Sequence, residues 1–294
     1  MECSTVVGLV VLLLLGAILI VIFSRNHDND DILSEDTMIG GGKKHKASKS
    51  SGSRKAGLIN VHHNDNAKYI FIYFGDIYPS GLKESSMFKT LMNQTKYKKE
   101  AYAVYIRSPS DNWEDSLDLQ TEYSLFETAL DKEFSRELSN GAMVVLIGKG
   151  FASLYVKVFK AKLKGSNTPV KAIALNGMHL RELIPSMIME KEGLSELNVD
   201  EIQFSGTKCI YRGKNYVKIL SLDPLFYYMM YLCDKINTED YYSFYGAIGD
   251  NKISVIPFNV IYDNTYIIRY GRDFRTINWL KRPQLLETAL KLAL

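Results

Sequence analysis

The chain has 294 residues, of which 46% are hydrophobic and 12% aromatic, enough apolar material for one sizeable core and too much for a wholly disordered protein. Its formal net charge is +3, and the basic residues concentrate in one stretch near the amino terminus, so no nucleic-acid groove is expected on the folded part. Cys3, Cys209 and Cys233 are too few for a disulfide framework and fit a reducing compartment, with a single Cys209–Cys233 bridge left open.

Every residue from Val6 to Phe23 is apolar or glycine. About 18 residues at 1.5 Å each give roughly 27 Å of helix, close to the roughly 30 Å of a bilayer's hydrocarbon. No Lys or Arg precedes the run and no Ala-x-Ala-like site follows it, which favours an uncleaved transmembrane anchor over residues 1–23 against a cleaved signal peptide. Arg25, Lys43, Lys44 and Lys46 follow, and the positive-inside bias places a single-pass protein's C-terminal domain in the cytosol.

Residues 24–66 carry blocked charges, acidic from Asp28 to Asp36 and basic from Lys43 to Lys55, with few large apolar groups. This reads as a disordered linker with an end-to-end distance of about 35–40 Å. Its basic half, Lys43–Lys55, either lies on anionic lipid headgroups or is a solvated spacer. His45, His62, His63 and Asp65 have no fixed ligand spacing, so no metal site is expected.

The domain is expected over 67–294. Aromatic and β-branched runs at Tyr69–Phe74 and Ala101–Ile106 predict buried strands. Phe126, Leu130, Phe134 and Leu138 recur every four residues and predict a helix between Thr121 and Leu138. Met143–Ile147 predicts the next strand, an amphipathic helix carrying Leu154, Val158 and Ala161 follows, and Pro169–Leu175 returns as a strand. Strands alternating with helices at this spacing imply an α/β fold with a mostly parallel, doubly wound sheet. Asp223-Pro224 is a helix start, cap then first turn, for an apolar segment within a helical cap expected over about 178–240.

Between the central strand and its helix the chain reads Gly148-Lys149-Gly150-Phe151-Ala152. This resembles the nucleophile elbow of the α/β-hydrolase family, Gly-x-Ser-x-Gly, with glycine where the serine belongs. Phe74-Gly75 is similar to the family's His-Gly after the strand that supplies an oxyanion-hole amide. Tyr241 to Asp250 is similar to the strand whose Gly-x-x-Asp ending provides the triad acid, which makes Asp250 the counterpart of that acid. Gly271-Arg272-Asp273-Phe274 is similar to the family's Gly-x-His-Phe turn, with Asp273 at the histidine position. The chain's histidines are His27, His45, His62, His63 and His179, none after Asp250. The resemblance therefore implies a degenerate hydrolase fold with no serine-hydrolase relay, since a hydroxyl cannot be activated without the base.

The leading expectation is a membrane-anchored, catalytically inactive protein that binds a ligand or protein partner, with no cofactor. Gly75, Lys149, Phe151, His179, Tyr228 and Met229 are the binding candidates. His179 follows a strand end, where open α/β sheets bind ligands, although a solvent-satisfied loop histidine is the plainer reading. Two other readings stay open. One is an enzyme with non-standard chemistry using Lys149, Asp250 or Asp273. The other takes Gly148-x-Gly150-x-x-Ser153 as a phosphate-binding turn, against which Asn176 stands where an acidic residue is required. Ile, Lys, Asn and Tyr are abundant, as in AT-rich genomes such as those of some large DNA viruses and parasites.

Overall fold

A computed structural model describes residues 57–75, 80–106, 119–165, 167–236, 239–247, 253–257, 264–269 and 279–294. The apolar run Val6–Phe23, the basic stretch Lys43–Lys55, Asp250 and Asp273 lie outside the described residues. Among the described residues no helix is long and apolar enough to cross a membrane.

The strands are β1 (Gly57–His62), β2 (Tyr69–Phe74), β3 (Ala101–Ile106), β4 (Met143–Lys149), β5 (Val170–Leu175), β6 (Gln203–Phe204), β7 (Cys209–Tyr211), β8 (Lys214–Asn215), β9 (Tyr241–Ala247), β10 (Ser254–Pro257) and β11 (Thr265–Arg269). The helices are α1 (Ser80–Asn93), α2 (Leu119–Ser139), α3 (Ala152–Gly165), α4 (Leu180–Glu192), α5 (Tyr216–Ile219), α6 (Pro224–Asp234) and α7 (Pro283–Ala293). Eight strands form one sheet in the order β1-β3-β2-β4-β5-β9-β11-β10. The pairs from β3 through β11 are parallel, and β1 and β10 close the edges antiparallel.

The interior strands read as near-continuous apolar runs because both sheet faces are covered. In β2, Ile70, Ile72 and Phe74 enter one core with α2, α3 and α4, while Phe71 and Tyr73 enter the other with α1 and α7. β5 follows the same rule, turning Ala172 and Ala174 toward the α3 side and the larger Ile173 and Leu175 toward α7. The fold is thus mixed α/β with a mainly parallel sheet and helices on both faces, as the periodicities predict.

Three boundaries differ from expectation. The linker does not run to 66: Leu58, Ile59 and Val61 are half-buried in β1, His62 stacks on Tyr102 at 4.9 Å, and the buried Glu137 carboxylate accepts from the Asn64 backbone at 3.1 Å. A register shift between Ile59 and His62, with Asn60 at φ 51, breaks the alternation that marks a strand. The cap is not purely helical, because β6, β7 and β8 form a three-stranded antiparallel sheet within it. α3 is not an amphipathic helix with one stripe: every residue from Ala152 to Lys160 is buried and Ala161 is exposed, since the sheet, α2 and α6 surround its first half. Cys209 and Cys233 are both buried and free.

The Asp223-Pro224 start of α6 is as expected, the carboxylate accepting from the backbone of Leu225 at 2.8 Å and Phe226 at 3.1 Å. Its six consecutive large side chains divide by helix face. Tyr227, Met229 and Met230 are core, Phe226 and Tyr231 are half-buried, and Tyr228 is 42% exposed. Met229 is therefore corrected from binding candidate to core residue. Met229→Ala should cost about 2–3 kcal/mol, as buried truncations do. Tyr228→Ala should stay within about 0.5 kcal/mol. Denaturant midpoints of the two variants separate these outcomes, and equal losses would mean that Tyr228 is packed as firmly as Met229.

Candidate functional site at the carboxyl edge of the sheet

The helix after β2, α1, lies on one face of the sheet, and the helix after the adjacent β4, α3, lies on the other. The chain therefore departs in opposite directions from neighbouring strands, the switch point at which open α/β sheets leave a crevice for ligands. Gly75 follows β2 there, its backbone N–H donating to the Tyr105 carbonyl at 3.0 Å, and Lys149, Gly150 and Phe151 follow β4. Phe74 and Gly148 are partners in the register, so Gly75 and the elbow lie side by side.

The elbow turns on two glycines for different reasons. At Gly148 a Cβ would lie 2.6 Å from the Ala152 carbonyl oxygen and 2.9 Å from the Ser153 nitrogen, so strand and helix backbones approach too closely for any side chain. At Gly150 φ is +54, the left-handed region that costs other residues about 1–2 kcal/mol, yet a Cβ there would meet nothing within 4 Å. The Gly150 N–H donates to the Leu175 carbonyl at 3.0 Å and its carbonyl accepts from Ser153 at 3.1 Å, tying the turn to β5 and α3. A side chain at 150 would project into open space.

Phe151 is half-buried, edge-on to Tyr155 at 5.6 Å and tilted against Phe226 of α6 at 5.7 Å. Phe226 thus brings α6 against the residue that follows the elbow glycine. Tyr228 is elsewhere, beside Gly206 of the cap, and does not line this edge.

His179 is not a solvent-satisfied loop residue. It is 4% exposed, and its Nε2 lies 3.1 Å from the Oγ of Ser243, itself buried in β9. Tyr241 meets the ring edge-on at 5.6 Å. Burial, and then the Lys157 ammonium, push the imidazole down to about 3, so it is neutral at pH 7. Ser153, also buried, accepts from the Met178 backbone at 3.0 Å. A Cβ on Gly177 would lie 2.8 Å from His179 Nε2 and 3.2 Å from Ser153 Oγ, so glycine lets this loop close over the pair. Asn176, the residue that argued against a dinucleotide turn, accepts from the Gly246 backbone at 2.9 Å and joins β5 to β9.

Lys157 and Ser243 are participants that pattern reading misses, because an ammonium or hydroxyl inside an apolar run looks like an interruption, while Ser153, read as part of a phosphate-binding turn, instead accepts from the loop after β5. The available signal was Lys157 within Leu154 to Phe159, a charge where the helix is otherwise apolar. Lys157 is 1% exposed and stands 5.2 Å over the Tyr241 ring. The cluster is closed to solvent and organised around hydrogen bonds rather than an open substrate position. Among the described residues no group of His, Cys, Asp and Glu is arranged to hold a metal.

The chain matches no family model and no curated protein. Among solved structures it is similar to the lipase BlEst2 of Bacillus licheniformis, at 15% identity and TM-score 0.41 over 81% of this chain and 96% of the lipase. Haloalkane dehalogenase DatA from Agrobacterium tumefaciens C58 aligns at 11% identity and TM-score 0.40, covering 82% of this chain and 98% of the dehalogenase. Human thioesterase 2 aligns at 12% identity and TM-score 0.35, covering 77% and 98% respectively.

Proposed function

We propose that this chain is a membrane-anchored α/β-hydrolase-like protein that lacks serine-hydrolase chemistry and works by binding a small molecule or protein at the carboxyl edge of its sheet. The observation that carries the reading is Gly150: φ of +54 in a tight strand-to-helix turn, with open space where a nucleophile would stand. Two further features support it. The chain has no histidine after Asp250, and His179 is buried against Ser243 on the strand that precedes that position. In this reading the run Val6–Phe23 is the anchor, and Arg25, Lys43, Lys44 and Lys46 after it favour the cytosolic side for the domain.

A fluorophosphonate probe, which reports an activated serine by covalent labelling, tests the chemistry. The unmodified chain is expected to stay unlabelled. Gly150→Ser alone should also stay unlabelled, because no histidine follows Asp250 to serve as its base, whereas Gly150→Ser with Asp273→His should give weak labelling if residue 273 reaches the elbow. Robust labelling of the unmodified chain would overturn the reading in favour of an enzyme with a different site.

A further inference from the structure

The strands β9, β10 and β11 contain no Asp or Glu and one charged residue, Arg269. It ends β11 at the same carboxyl edge as the elbow, three strands from β4, or roughly 14 Å at about 4.8 Å per strand. The pleat fixes its side. Tyr266 and Ile268 pack into the core with α7, so Thr265, Ile267 and Arg269 face the other way. Register partners share a face, and Thr265 is aligned with Ser243, whose hydroxyl meets His179. Arg269 therefore lies on the His179 side of the sheet.

Its neighbours on that side are small. Ala247 is its partner in β9, and the exposed Ser254 is its partner in β10. Val255 packs with Ile268 into the core with α7, which turns Ser254 to the same side as Arg269. Arg269 is half-buried, and its Nε is fully covered with no hydrogen-bond partner. Nε is its one nitrogen orphaned in this way, and among the described residues the guanidinium makes no hydrogen bond or ion pair, so the Nη nitrogens reach solvent. The covered stem holds the fork in place, and a partly buried cation without a counter-charge is costly to keep. An anion set end-on against the two Nη nitrogens offsets that cost. The Ser254 side chain, with its Cβ about 5 Å away as in any cross-strand pair, is near enough to donate a further hydrogen bond.

We propose that Arg269 and Ser254 bind the anionic head of a small molecule, a carboxylate or a phosphate monoester, where β11 ends and β10 begins. The proposal deepens the reading above, and rests on it for ligand binding at this edge. A small molecule is favoured over a charged macromolecular surface because one guanidinium and one hydroxyl, flanked by Ala247, suit a single oxyanion. No second cation stands in these three strands.

The test treats the full chain in detergent with phenylglyoxal, which attacks accessible guanidinium nitrogens, and locates the modified arginines by mass spectrometry. Arg269 should react, and inorganic phosphate or acetate should slow that reaction while chloride at equal ionic strength does not. Stronger protection by phosphate assigns a phosphate monoester, and stronger protection by acetate a carboxylate. With Ser254→Ala the anion concentration for half-protection should rise about ten-fold, as loss of one charge-assisted hydrogen bond implies. Arg269→Met keeps the stem, so it should melt no lower than the unmodified chain and lose the stabilisation that the anion gives. An Arg269 that does not react without ligand, or equal protection by chloride, overturns the proposal. So does a lower melting temperature for Arg269→Met, which would show the guanidinium serving a carboxylate of the chain such as Asp250 or Asp273. Fluorophosphonate labelling with anion protection intact strikes only the non-catalytic reading. Absence of both strikes only the anion site.

Discussion

Gly148→Ala should destabilise the domain by more than about 3 kcal/mol, beyond the usual cost of overpacking. An alanine Cβ at this position would lie 2.6 Å from the Ala152 oxygen, 2.7 Å from its carbonyl carbon and 2.9 Å from the Ser153 nitrogen. All three are backbone atoms, so no rotamer change relieves the overlap. The first turn of α3 would have to move away from β4, and that turn leads a helix whose residues 152–160 are all buried. Gly150→Ala provides the control. It faces open space and pays only the left-handed backbone cost, about 1–2 kcal/mol. Denaturant unfolding of the full chain in detergent should rank Gly148→Ala well below Gly150→Ala. Similar midpoints would mean that strand and helix are farther apart at the elbow, and the tight turn would lose its steric basis. The result also bears on function. The small residue at 148 serves the packing of β4 against α3, which sets the turn on which any ligand contact at this edge would depend.

That elbow was legible because its requirements are local. Two glycines two residues apart, an apolar strand before them and a helix after them leave few backbone solutions, and Met143–Lys149 and Ala152–Gly165 occupy the expected places. The buried strands were equally plain, since a parallel sheet covered on both faces forces continuous apolar runs such as Tyr69–Phe74. Edges and polar clusters were not. β1 was hidden by a mid-strand irregularity at Asn60, and β7 is three residues long, too short for an alternation of Cys209, Ile210 and Tyr211 to register. α1 escaped because Ser80–Asn93 follows turn-like residues and buries only a few side chains such as Phe88, Leu91 and Met92. His179 was misjudged for a different reason. Whether a loop histidine meets water or a buried serine depends on Ser243, 64 residues away, and on Gly177 admitting a close approach.

The same burial makes His179 a source of acid sensitivity. Its folded-state pKa is pushed to about 3 from the ordinary value of 6.5, by burial first and the Lys157 charge second. A histidine depressed in this way binds a proton in the unfolded chain before it does so in the folded one. Stability is therefore unaffected above about pH 6.5 and falls as pH drops from there toward 3, at a limiting slope of about 1.4 kcal/mol per pH unit. Between pH 6.5 and pH 5 this amounts to roughly 2 kcal/mol. The groups described near the ring include Lys157 and Ser153 from α3 and Tyr241, Ser243 and Tyr245 from β9. His179→Asn keeps a polar group that can meet Ser243 but cannot be protonated in this range. Unfolding midpoints of the unmodified chain should fall between pH 6.5 and pH 5 by about 2 kcal/mol more than those of the variant. At pH 8 the variant should be the less stable of the two, since it packs less well against Tyr241. Parallel pH profiles for both proteins would show that His179 is hydrated or already protonated in the folded state. The closed cluster between α3, α4 and β9 would then be open to solvent, and the histidine would return to the candidates for ligand contact.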